Sequence, residues 1–199
     1  MKLSHLILLS IASLASLYIH IWDVSMANTL YITLLLLCTS YGAFKREINI
    51  THISGFILTI TTANYVIFES GIIDIVTPAE SKLQQGTIVY GFQFLLCLLM
   101  FIILIFRVQV SRLLSSSKRI ELTHFDGIFH WIFLYMSLVN LLGLLENIAW
   151  SYFEMKSWTL IYDNFEGLIY IGYALCCGAL LTMMILSARE GGTQASRAS

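Results

Sequence analysis

The apolar residues of this chain fall into six long runs separated by short polar segments, at 4–22, 26–44, 50–68, 87–106, 127–150 and 167–187. Each run is close to the ~20 residues that a helix needs to cross a hydrocarbon core about 30 Å thick. The first run follows Lys2 and has the look of a signal peptide. Its apolar stretch continues past Ala15 to Ile21 without a convincing small-residue cleavage site, so it reads as a retained helix. The third run is rich in Thr and Ser. The pattern predicts an all-α, polytopic integral membrane bundle of about six transmembrane helices.

The fifth run, GIFHWIFLYMSLVNLLGLLENIAW, organises the rest. It carries polar groups that lipid should not see. Helical spacing puts His130, Ser137, Asn140 and Asn147 on one side, with Glu146 beside them near the far end. An unpaired polar group in hydrocarbon costs several kcal/mol, so this side must face protein or water. Weaker polar sides recur in the third run (Thr51, Gly55, Thr62, Tyr65, Glu69), the fourth (Tyr90, Gln93, Cys97) and the sixth (Glu166, Tyr170, Tyr173, Cys177).

Two readings of these sides compete. In one, His130, Ser137, Asn140, Asn147, Thr62, Tyr65, Gln93 and Tyr173 converge on a polar interior, with Glu69, Glu146 and Glu166 forming an acidic outer mouth. In the other, small and polar residues hold helices together, as they commonly do in membranes, and Glu146 is an interfacial carboxylate hydrated from outside. The second is the commoner situation, because no charged residue falls clearly at mid-membrane.

Charge fixes the expected orientation. Lys2, Lys45, Arg46, Arg107, Arg112, Lys118, Arg119, Arg189 and Arg197 share one set of segments, leaving only Lys82 and Lys156 of the 11 basic residues for the opposite loops. Under the positive-inside rule this predicts both termini in the cytoplasm of a bacterial-type inner membrane. Most acidic residues, among them Asp23, Asp74, Glu154 and Asp163, fall on the other side. The inner segment 107–126 is the longest basic loop. Its Arg107, Arg112, Lys118 and Arg119 are candidates for docking anionic lipid or a cytosolic protein. The last residues, 191–199, are small and polar, and are set apart from a single helical domain at 1–190 as a tail, disordered or foreign to the native protein.

Composition narrows the functional classes. The chain is 58% hydrophobic and 12% charged with a net charge of −1, which leaves no soluble domain and no basic surface for direct nucleic-acid binding. Cys38, Cys97, Cys176 and Cys177 lie inside apolar runs without metal or disulfide spacing, so buried free thiols are expected. His5, His20, His52, His124 and His130 show no spacing that supports haem ligation, and no cofactor or metal is expected. Catalytic signatures such as H-E-x-x-H, G-x-S-x-G and a phosphate-binding loop are missing, and loops this short cannot hold a catalytic domain.

The sequence therefore favours a non-catalytic membrane subunit: a scaffold, sensor or pore-forming protomer. It is expected to self-associate, with small faces such as Ala12/Ser16 as contacts, and to meet a cytosolic partner through its basic inner loops. The alternative is a small-solute or cation transporter or channel using the polar faces of the third to sixth spans. Broken helices would mark such a site, but no proline interrupts any run, and the two halves share no sequence likeness.

Overall fold

A computed structural model describes residues 24–73, 82–117 and 120–198. The helices among these are α1 (Val24–Lys45), α2 (Ile48–Glu69), α3 (Lys82–Ile105), α4 (Arg107–Leu114), α5 (Asp126–Tyr152) and α6 (Leu160–Ala198). No strand occurs among the described residues. All but α4 are long and apolar enough to cross a membrane. They match the second to sixth predicted spans. The first, 4–22, and its Ala12/Ser16 face lie outside the described residues.

The helices run up and down. Arg107, just after α3, bonds to both Asn49 at the start of α2 and Asp126 at the start of α5, so those ends share one face of the bundle. Glu146 near the end of α5 meets the start of α6, and Asn147 meets Leu83 at the start of α3, on the opposite face. The α1–α2 turn is tight. Arg46 takes a left-handed conformation at φ 58°, and Glu47 N–H donates to the Gly42 carbonyl at 2.8 Å, closing the helix end. Gly42 is needed there, because a Cβ would lie 2.7 Å from Thr51 Oγ1 and 2.8 Å from the Thr51 nitrogen.

The most extensive interface is between α3 and α5, followed by α1 with α2 and α5 with α6. The core contains Tyr31, Leu35, Ile53, Ile57, Met100, Phe129, Met136 and Leu180. Tyr31 on α1 stacks on Tyr173 of α6, with ring centroids 4.1 Å apart and planes within 9°. Thr39 donates to Ser54 at 2.9 Å between α1 and α2, the side-chain glue expected between helices in lipid. Outside the core, Leu95, Leu99 and Ile102 of α3 and Leu138, Leu142 and Leu145 of α5 are exposed. Such apolar surface suits a lipid solvent.

Three boundaries differ from the sequence reading. α3 begins at Lys82 rather than at residue 87, because Gln84 and Gln85 at its start are compatible with a helix end outside hydrocarbon. α6 begins at Leu160, a full turn and more before residue 167, where the Glu146 carboxylate receives its first amides. Its backbone stays helical through Ala198, so 191–198 continues the helix instead of forming a separate tail; no proline or capping turn ends it earlier.

Candidate functional site

A small pocket opens between α2, α3, α5 and α6, with a volume of about 70 Å³. Its polar lining is Thr61 and Asn64 from α2, Gln93 from α3, Asn140 from α5 and Tyr173 from α6; Cys97, Phe133 and Met136 are among the others. Gln93 is at the middle of α3, and Asn140 lies within a turn of the middle of α5. The pocket is therefore deep within the apolar part of the bundle. None of its lining residues is ionisable in the sense of Asp, Glu, Lys, Arg or His.

Asn140 is the best-defined of these groups. It is 1% exposed. Its Nδ2 donates to the Met136 carbonyl at 2.8 Å, four residues back on the same helix, and lies 3.7 Å from Cys97 Sγ. A backbone carbonyl only accepts, so the amide orientation follows: nitrogen toward the helix, oxygen away from it. That oxygen, Asn140 Oδ1, is buried without a hydrogen-bond partner, and so is Asn64 Oδ1. A buried acceptor left unpaired costs about 1–3 kcal/mol, so these two oxygens leave the wall of the pocket short of a donor.

Only part of the predicted polar interior converges here. Gln93, Asn140 and Tyr173 do; Thr62, Tyr65, His130, Ser137 and Asn147 do not. On α2 the inward face is Ile53, Ile57, Thr61 and Asn64, one position round from the predicted Thr62 and Tyr65, and Tyr65 is exposed. Thr61 and Asn64 continue the buried Ile53–Ile57 face at helical spacing, a row that the sequence alone does not single out. His130 is half-buried at the other end, its Nδ1 3.1 Å from the Asp126 carbonyl oxygen and its ring 6.1 Å from that of Phe101. Ser137 is buried away from the pocket. Asn147 is a fastener: its Nδ2 donates to the Leu83 carbonyl at 3.2 Å, and its amide packs where Gly86 leaves room.

The acidic mouth is also revised. Glu146 accepts from the Ile161 amide at 3.2 Å and from the Tyr162 amide at 2.6 Å. Those are orphan N–H groups in the first turn of α6, so the carboxylate caps a neighbouring helix and complements its dipole. Glu69 and Glu166 stand exposed on α2 and α6.

A second constellation lies at the opposite face. Arg107 is 1% exposed, although the sequence marks it as a docking residue. Its Nε donates to Asp126 Oδ1 at 2.6 Å and its Nη2 to Asp126 Oδ2 at 2.5 Å, a bidentate pair. Nη1 donates to Asn49 Oδ1 at 2.7 Å, and Nη2 also reaches the Glu121 carbonyl at 2.5 Å. Asp126 in turn accepts from the Thr123 amide at 2.5 Å and the Thr123 hydroxyl at 3.0 Å. Arg107 is thus committed to binding the loop and is withdrawn from any docking surface. Arg112 is exposed beside Ser115, Ser116, Ser117 and Ile120, while Leu113 and Leu114 project outward; Lys118 and Arg119 lie outside the described residues.

The described thiols are free, with Cys38, Cys176 and Cys177 buried. No cluster of His, Cys, Asp or Glu suited to a metal ion occurs among the described residues. Fold and composition define a multi-pass helical membrane protein. No family model, curated protein or solved structure matches the chain.

Proposed function

We propose that this protein is a non-catalytic membrane subunit that self-associates and engages a cytosolic partner through its basic face. The observation that carries the reading is the way Arg107 holds α4. An arginine with five donors, sequestered by Asp126, Asn49 and the Glu121 carbonyl, fixes the short helix against the ends of α2 and α5. Fixed there, α4 offers Arg112, Leu113 and Leu114 outward as a cationic and apolar ledge. A ledge of that chemistry fits an acidic partner with an apolar centre. The positive-inside pattern supports a cytoplasmic position for this face.

A photo-crosslinking residue at position 113 in intact cells tests this. The expected product is a discrete adduct with a second polypeptide, lost in Arg112→Glu. Adducts with lipid alone would remove the reading. Sizing of the protein in nanodiscs against a single-copy standard tests self-association.

A transporter or channel is the second reading, and the mid-bundle pocket favours it. Against it, α2, α3, α5 and α6 pass the pocket unbroken, whereas many transporters present unwound half-helices at their sites. Occupancy of the pocket is better supported than passage through it.

A further inference from the structure

We propose that the pocket between α2, α3, α5 and α6 is a binding site for a small uncharged molecule carrying at least two hydrogen-bond donors, of the class of a primary amide or urea. The inference needs the pocket to be occupied. It needs neither transport nor the docking ledge.

Three observations set the ligand class. The first is polarity: Asn140 Oδ1 and Asn64 Oδ1 are buried acceptors with no partner, and the Asn140 nitrogen is already committed to the Met136 carbonyl. The ligand must therefore donate. The second is charge: the lining has hydroxyls, amides and a thiol but no carboxylate. A cation there would lose its hydration without a counter-charge, at the depth where such losses are largest. A neutral donor avoids that cost. The third is size: about 70 Å³ is roughly half the ~150 Å³ of a cavity that takes benzene, which leaves room for about three or four heavy atoms. Planar amides and ureas have that size and carry their donors in one plane. Tyr173, held by its stack on Tyr31, supplies a rigid wall, and Phe133 and Met136 supply apolar ones.

Cys97 gives the readout. It is the only one of the four thiols that lines the pocket, and the other three are fully buried elsewhere. The full chain in nanodiscs is treated with methyl methanethiosulfonate, and modification of Cys97 is followed by peptide mass spectrometry with acetamide, urea, methylammonium or potassium present. Saturable slowing by acetamide and urea, but not by the two cations, is the expected result. Asn140→Leu should raise the half-protecting concentration about tenfold, the factor that one lost hydrogen bond gives. Asn64→Leu, at a half-buried position, makes the same comparison where Asn140→Leu does not fold.

Protection by the cations alone would overturn the uncharged class while keeping the pocket as a site. If Cys97 does not react, a saturable rise in melting temperature with acetamide, lost in Asn64→Leu, stands in for protection. The absence of both protection and a rise in melting temperature would overturn the site itself and leave the pocket to water.

Discussion

Arg107 and Asp126 meet across nineteen residues of chain, with both carboxylate oxygens engaged by one guanidinium and the arginine 1% exposed. The pair closes the segment between α3 and α5, the two helices with the largest shared interface. Each partner sits at a helix start: Arg107 opens α4, and Asp126 opens α5, where a carboxylate complements the helix dipole. Removing one member leaves the other buried and uncompensated, which typically costs about 3–5 kcal/mol. Arg107→Met and Asp126→Leu are therefore each expected to lower the thermal midpoint of the protein in nanodiscs strongly. The double variant should recover much of the loss. Single changes that leave the midpoint in place would show that the pair does not hold the loop.

Much of this architecture was readable from hydropathy, and the reasons for the misreadings are specific. The spans corresponding to α1, α2, α3, α5 and α6 follow from apolar runs, because run length against membrane thickness is a strong constraint. Arg107 reads from sequence as a docking residue because charge and a loop position together suggest a solvated face. Its partners Asn49 and Asp126 are 58 and 19 positions away, and no local spacing links them. The pocket was half visible. Gln93, Asn140 and Tyr173 stand out in the sequence as polar groups in apolar runs, but on α2 the sequence suggests Thr62 and Tyr65 where the pocket has Thr61 and Asn64. Steps of three and four do not fix which row of a helix faces inward when Thr or Tyr recurs on several of them. On sequence alone Glu146 is an acid beside the polar side of the fifth run, near its far end. Its role as a cap for α6 depends on a tertiary contact.

That cap yields a second prediction. Hydrogen bonds to a charged group contribute about 1.5–3 kcal/mol, and Glu146 makes two with the first turn of α6. Glu146→Ala should destabilise the protein by about 1–3 kcal/mol, and Glu146→Gln by less, since an amide oxygen still accepts. Amide hydrogen exchange at Ile161 and Tyr162 should quicken in the same order. Unchanged exchange at both positions would contradict the capping role.

Packing between α5 and α6 turns on one glycine. A Cβ at Gly172 would lie 2.6 Å from Met136 Cγ and 2.7 Å from its Sδ, and Met136 is itself buried. Alanine has the better helix propensity by about 1 kcal/mol, yet overpacking of this kind costs about 1–3 kcal/mol. Overpacking should win. Gly172→Ala is expected to lower the midpoint, with Met136→Ala relieving part of the loss because the clashing atoms are gone. Gly127, with open space around it, is the control: Gly127→Ala should leave the midpoint unchanged or raise it. Because Met136 also lines the pocket, Gly172→Ala should shift the reactivity of Cys97, whereas Gly127→Ala should not.

Sidedness can be read at two exposed serines. Ser116 lies beyond α4 on the face where Arg107 binds Asn49, and Ser157 lies in the link between α5 and α6 on the opposite face. Lysine and arginine resist transfer across a bilayer by about 2.5–3.5 kcal/mol each at its centre, which is why the clustering of cations sets orientation. A cysteine at position 157 should react with an impermeant maleimide added to intact cells, and a cysteine at 116 only after the membrane is opened. The four native thiols are the background, and their burial or placement in the pocket keeps it low. Labelling of position 116 from outside would invert the bundle. The ledge formed by Arg112, Leu113 and Leu114 would then face away from the cytosol, and a cytosolic partner for it would be ruled out.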